Sequence, residues 1–243
     1  MNKPLIVSIE GNIGSGKSTF ISKLEKYIQE NNTDKKIFFL SEPVDEWLNI
    51  KDENNEHILS KFYNNQEKYS FTFQMMAYIS RLNKLKEAID NLKKSDNNPI
   101  IITERSLMTD KYVFAQMLYD ENKIEKIEFE IYKKWFNSFN KETEIDKVIY
   151  IASKPEICYD RVKLRDRDGE ENIPLDYLTK CHNYHENMIK ILKDDNKDIV
   201  LLNGNDNIYK DEKVLDNWFT ELKRVLNIHD GDSVNNVEKS CSL

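Results

Sequence analysis

Glycine and proline are thin in this chain, six and five among 243 residues, so no stretch reads as a flexible linker or a low-complexity segment. No apolar run approaches the ~20 residues that span a bilayer, which argues against a membrane-embedded chain. Cysteines number three, Cys158, Cys181 and Cys241, an odd count without ligand-like spacing. That pattern fits reduced thiols, not a disulfide frame or a zinc site. Positive charge is also short: 36 Lys and Arg face 43 Asp and Glu, a formal charge of −7. A nucleic-acid polymer selects basic faces and is not the expected partner, whereas a small anion needs only a local cluster of donors. Residues 1–4 run straight into an apolar segment without the features of a signal or transit peptide. The closing Ser-Cys-Ser-Leu fits neither prenylation nor peroxisomal import. The expectation is a cytoplasmic protein with no membrane attachment.

Five short, nearly continuous apolar runs are present, at 5–10, 37–41, 100–104, 148–152 and 199–203. Such runs suit strands covered on both faces. Helical periodicity fills the intervals 17–31, 66–93, 107–140, 155–164, 174–196 and 210–227. Strands alternating with helices of this length predict an α/β fold, a five-stranded parallel sheet with helices on both faces. With no repeat and no linker, residues 1–227 are expected to form one domain. The polar, aperiodic segment 228–243 is expected to be a disordered tail.

Half of the scarce glycines fall in Gly11-Asn12-Ile13-Gly14-Ser15-Gly16-Lys17-Ser18-Thr19, directly after a predicted strand and before a predicted helix. This is the G-x-x-x-x-G-K-[ST] pattern in the context it requires. Glycines let successive N–H groups turn toward one anion, and the helix N-terminus adds its dipole. Lys17, expected on the solvent side of the helix start, would neutralise β/γ oxygens of a nucleotide, and Ser18 would ligate Mg²⁺. The loop alone does not choose between kinase, ATPase and GTPase. The Asn-Lys-x-Asp base reader of a GTPase is missing.

The second and third strands end in charge, at Glu42 and at Glu104-Arg105. Ligands of open α/β sheets bind beyond the carboxyl ends of the strands, so these groups should face the phosphates. A carboxylate there can accept a hydroxyl proton or hold Mg²⁺, and an arginine can stabilise charge on a moving phosphoryl group. Gln74, Ala77 and Arg81 share one face of the 66–93 helix, and Asp110 and Phe114 are one turn apart on the next. Arg81 and Asp110 can read a polar base, form an ordinary interhelical salt bridge, or do both.

Beyond single motifs, the chain resembles the deoxyribonucleoside kinase family that includes deoxycytidine and deoxyguanosine kinases. The resemblance covers roughly residues 5–227 and rests on an ordered set: the loop at 11–19, Glu-Pro-Val-x-x-Trp at 42–47, Tyr63, Ser-Phe-Thr-Phe-Gln at 70–74, Ser80-Arg81, Glu-Arg-Ser at 104–106 with Asp110, and the arginine-rich segment 161–171. It implies the P-loop kinase fold with a lid, ATP as donor, Mg²⁺ and a homodimer packed through helices. It implies that Glu42 is the base for the nucleoside 5′-OH, that Glu104 is associated with magnesium, and that Arg105 lies beside the 5′-oxygen. It further implies that Tyr63 and Glu170 bind the sugar 3′-OH and that Gln74, Arg81 and Asp110 read the base. Phe73 and Phe114 would wall the base, and Trp47 would pack beside the nucleoside. In the segment 161–171, Arg161, Arg165 and Arg167 crowd one another, which favours a shared anion. This resembles the family's lid over the ATP phosphates; a solvated turn balanced by Asp166 and Asp168 is the competing reading. Asn207, near the donor base, is the weakest match. Two other functions compete. A nucleoside-monophosphate kinase would offer extra cations to its acceptor, and a regulator without catalysis would lack Glu42, Glu104 or the lid arginines.

Overall fold

The structure is a computed structural model that describes residues 3–31, 35–92, 98–139, 143–165, 167, 170, 173–206, 208 and 212–229. Its sheet has five strands, β1 (Leu5–Glu10), β2 (Ile37–Leu40), β3 (Ile100–Glu104), β4 (Lys147–Ala152) and β5 (Asp198–Asn203). They run in the order β2-β3-β1-β4-β5, every pair parallel. The inner three are almost wholly buried, whereas the edge strands β2 and β5 are only half-covered. Their β-branched residues suit that position, with Ile6, Ile101, Ile102, Val148 and Ile149 at the fully covered centre.

Helix α1 (Lys17–Asn31) follows the phosphate-loop motif and packs with α10 (Glu212–Leu226) on one face, where Phe20 meets Trp218 edge-on at 5.4 Å. The long α4 (Gln66–Leu92) and α9 (Leu175–Asp194) contribute to a core cluster on the opposite face, with Ile6, Ile101 and Val148. Helix α8 (Pro155–Arg165) follows β4. All five expected strands and five of the six expected helices occur within two residues of their expected limits.

Two expectations fail locally. Short helices α2 (Val44–Asn49) and α3 (Ile58–Asn64) occupy a stretch that showed no periodicity, because six or seven residues make barely two turns. The single helix expected over 107–140 is broken. It begins as α5 (Leu107–Thr109), widens into a π-helical turn at Asp110–Ala115, continues as α6 (Gln116–Asp120) and resumes as α7 (Lys126–Phe139). The break is a left-handed C-cap: Asn122 takes φ 57°, its N–H meets the Tyr119 carbonyl, and the Lys123 N–H meets the Leu118 carbonyl. Asparagine supplied the stop that is more often glycine.

Candidate active site

Three polypeptide corners meet at the carboxyl ends of β1, β2 and β3. At the first, Gly11, Gly14 and Gly16 all have positive φ (148°, 78° and 101°). A side chain at Gly11 would run into Ser15 and the Ile151 carbonyl, and one at Gly14 into the backbone of α8. Asn12 is turned away: its Nδ2 donates to the Leu178 carbonyl of α9 (2.8 Å) and its Oδ1 accepts from the Ile13 N–H. Gly11 and Asn12 thus shape the loop, while residues 13–19 line a cavity of about 510 Å³. That volume is ordinary for a small-molecule site.

Lys17 is not on the solvent side. It is 4% exposed and folds back to donate to the carbonyls of Gly11 (3.0 Å) and Asn12 (2.8 Å). Burial, and next the nearby Arg105, lower its pKa to about 7. The loop wraps its own lysine, which helix-start geometry alone did not reveal.

At the other two corners the charges interlock. Arg105 Nη1 donates to both oxygens of Glu42 at 2.9 Å. Arg81 spends each nitrogen inside the protein: Nε on Asp110 (2.9 Å), Nη1 on the Glu104 carbonyl (2.7 Å) and Nη2 on Glu42 (3.0 Å). The salt bridge to Asp110 and the cavity-lining position therefore coexist. Burial alone would raise the Glu42 pKa, but Arg105, Arg81 and Lys17 outweigh it and bring it down to about 2. Asp110 goes the other way, because its burial, helped by the Glu42 charge, outweighs the pull of Arg81 and Arg105. Ser18 Oγ donates to Glu104 Oε1 at 2.6 Å, a hydroxyl and a carboxylate side by side at the cavity wall.

Aromatic rings enclose the cavity beside these charges. Phe73 stacks on Phe62 (4.7 Å between centroids) and meets Trp47 edge-on (5.3 Å), and Trp47 is fixed by its indole N–H to Ser80 Oγ. Opposite, Phe114 carries the Arg105 guanidinium over its ring. Four buried polar atoms of the described cavity lining have no partner in the protein: Ser15 Oγ in the phosphate loop, Gln74 Oε1, and Arg105 Nε and Nη2. Unmet polar groups at this depth are costly unless a ligand meets them. Tyr63 also lines the cavity, and its burial, then the Glu170 charge, hold the phenol protonated.

The arginine-rich segment is only partly described, since Asp166, Asp168, residue 169 and residues 171–172 lie outside the described residues, as does Asn207. Arg165 and Arg167 both line the cavity, and both are ion-paired to Glu170, itself 6% exposed. Arg161 is anchored to backbone, donating to the carbonyls of Ser15, Gly204 and Asp206. It also lines the cavity, so it ties α8 to the phosphate loop from beside the same space.

A family model for deoxynucleoside kinase matches residues 7–227, nearly the whole described chain. The protein belongs to the deoxynucleoside kinase family. It is 34% identical over 199 residues to deoxycytidine kinase of Bos taurus, covering 75% of this chain and 74% of that one. Deoxycytidine kinase 1 of Xenopus laevis is 36% identical over 196 residues, 74% of this chain and 72% of its own. Mitochondrial deoxyguanosine kinase of Xenopus laevis is 29% identical over 197 residues, 75% and 72%. This deoxynucleoside kinase is accordingly an ATP-dependent phosphotransferase of nucleoside salvage. No helix among its described residues is long and apolar enough to cross a membrane.

The cavity also holds kinase residues that the sequence reading passed over. Leu164, Asp206, Ile208 and Trp218 line it together with Arg161, and Leu59, Phe62 and Tyr177 line it together with Tyr63. They come from α3, α8, α9, α10 and the loop after β5, each contributing one or two side chains. No spacing in the sequence links them. Only Ala77, one turn from Gln74, was visible from helical periodicity.

Proposed function

We propose that this kinase transfers the ATP γ-phosphoryl group to the 5′-OH of deoxyadenosine, deoxyguanosine or deoxycytidine, with thymidine its poorest substrate. The observation that carries the reading is Gln74: 2% exposed, with an Oε1 that nothing in the protein meets, on the helix face that also carries Arg81. An amide can accept from an exocyclic amino group and donate to a ring nitrogen. Asp110, fastened by Arg81, is a second acceptor for an amino group. Thymine has no such group, and its 5-methyl would press on a buried ion pair. The deoxycytidine and deoxyguanosine kinases among the relatives support the same class.

In this reading Glu42 takes the 5′-OH proton and Arg105 steadies the charge on the reacting oxygens. Lys17, Arg165 and Arg167 hold the transferring phosphates, with residues 13–19 and Arg161 around the donor. Tyr63 donates to the sugar 3′-OH and Glu170 accepts from it, between the walls formed by Trp47, Phe73 and Phe114. Ser18 and Glu104 would hold Mg²⁺, since an adjacent hydroxyl and carboxylate, completed by water and phosphate oxygens, suit that ion. Magnesium bound there would neutralise charge on the β- and γ-oxygens. The single family match over 7–227 supports treating residues 1–227 as one kinase domain.

The specificity reading is tested by incubating the protein with ATP, Mg²⁺ and each deoxynucleoside, and following ADP and monophosphate. Replacing both members of the pair, Arg81→Met with Asp110→Ala, is expected to raise thymidine kcat/KM at least ~10-fold. Thymidine preferred by the unmodified protein, or untouched by the double substitution, would sink it.

We also propose a homodimer. Ile127, Ile131 and Trp135 lie four residues apart along α7 and are exposed, as is Ile79 on the neighbouring α4, whose Tyr78 hydroxyl donates to the Trp135 carbonyl. Solvent-facing isoleucines and a tryptophan at that spacing make an apolar stripe that suits a second copy. Analytical ultracentrifugation should give twice the chain mass, and Ile131→Glu with Trp135→Glu should give the chain mass itself. A monomer before substitution would remove the idea.

A further inference from the structure

Glu10, the last residue of β1, is fully buried and does not line the cavity. Its carboxylate accepts from three hydroxyls: Ser8 Oγ at 2.5 Å, Ser106 Oγ at 2.5 Å, and Thr109 Oγ1. Ser106 directly follows Arg105, and Thr109 directly precedes Asp110. One carboxylate thus fastens both ends of a four-residue turn flanked by Arg105 and Asp110, two of the charged groups that line the cavity.

The turn needs fastening. Arg105 has φ 62°, the left-handed region, which strains a non-glycine residue and persists only where neighbours over-determine it. Its N–H is held by the Ile9 carbonyl at 3.0 Å, and its own carbonyl accepts from Thr103 Oγ1. Beyond that point, the hydroxyls of Ser106 and Thr109 grip Glu10. If the turn relaxed toward negative φ, the Arg105 guanidinium would swing away from Glu42 and carry its two unmet donors with it. A carboxylate suits the peg better than an amide, because it accepts at both oxygens and can satisfy every hydroxyl at once. A buried apolar side chain would leave three hydroxyls unmet.

We infer that Glu10 is a positioning residue for phosphoryl transfer: it pegs the Ser106–Thr109 turn so that Arg105 keeps its strained backbone and its place beside Glu42. The inference rests on the role given above to Arg105, and the test separates the two. Glu10→Gln keeps the side-chain shape but trades one acceptor for a donor. Its kcat is expected to fall ~10-fold or more with the ATP KM unmoved, since sub-ångström misplacement of a reacting group acts on turnover. Ser106→Ala, which removes a single hydroxyl, should show a smaller fall with the same split, and it decides the matter if Glu10→Gln does not fold.

A general loss of structure would lower activity equally in any background. A loss transmitted through Arg105 would not. In an Arg105→Ala background, Glu10→Gln should therefore lower kcat no further. The same fold-loss in both backgrounds, or an unchanged kcat in both Glu10→Gln and Ser106→Ala, overturns the inference. If Arg105→Ala is crippled while both peg variants are normal, only the peg is lost. If Arg105→Ala itself keeps full kcat, the role of Arg105 falls and takes this inference with it.

Discussion

Lys17→Ala is expected to lower ATP-dependent turnover by ~10³-fold or more while the protein stays folded. Preorganised cations aimed at a transferring phosphoryl group account for effects of this order. The fold should survive because the buried ammonium is itself a burden, as its lowered pKa attests. Only the carbonyls of Gly11 and Asn12 lose a donor. Circular dichroism melting with near-unchanged midpoint, beside lost ADP release, is the expected pair of results. A variant with normal turnover would exclude Lys17 from the phosphate site.

The same lysine is expected to make donor binding sensitive to protons. With a pKa of about 7, Lys17 of the free protein is mostly neutral at pH 8. Phosphate oxygens favour the ammonium, so binding at that pH takes up roughly 0.9 proton per site, and donor affinity weakens as pH rises above 7. Calorimetry of a triphosphate in buffers of different ionisation heat reads the uptake directly. Lys17→Ala should abolish it, and uptake that persists there belongs to another group.

Glu42→Gln should lower kcat ~10²–10⁴-fold with little change in nucleoside affinity. Glutamine keeps the size and one acceptor for Arg105 and Arg81, but its second position becomes a donor and it takes no proton. A carboxylate with a pKa of about 2 is a weak base, yet the attacking hydroxyl becomes strongly acidic as its bond to phosphorus forms, so an ionised and well-placed acceptor suffices. The same low pKa fixes the sign of the acid limb. Glu42 stays ionised above about pH 3, so kcat should show no loss from its protonation between about pH 5 and 9. Near-normal kcat in Glu42→Gln would mean that a different group receives the proton.

The parts of this molecule legible in its sequence are those that repeat or stay local. Buried strands announce themselves as β-branched runs, and helices such as α1 and α9 by their period. The phosphate loop shows in half of a small stock of glycines. What escaped comes from contacts between distant residues. Lys17 is wrapped by carbonyls of its own loop, a matter of three-dimensional turn geometry. Arg81 meets Glu42 and the Glu104 carbonyl across 39 and 23 positions, and Arg161 meets the Asp206 carbonyl across 45. Trp218 reaches the cavity from the last described helix. The stop at Asn122 was missed for a different reason: asparagine is a common surface residue, and only its backbone angle identifies it as a cap.

With Arg81 as the proposed base reader and Glu42 as the proposed base, the three bonds of Arg81 would make base choice and reaction speed a single heritable trait. A change at position 81 that admits a new base also takes one of two guanidinium partners from Glu42, whose proton affinity must then rise. It strands Asp110 as well, a buried anion without its counter-ion. A lineage drifting toward a new nucleoside through position 81 alone would pass through a slow, destabilised enzyme. The passable route changes 81 and 110 together, and a selection experiment on this scaffold should recover paired substitutions there far more often than single ones.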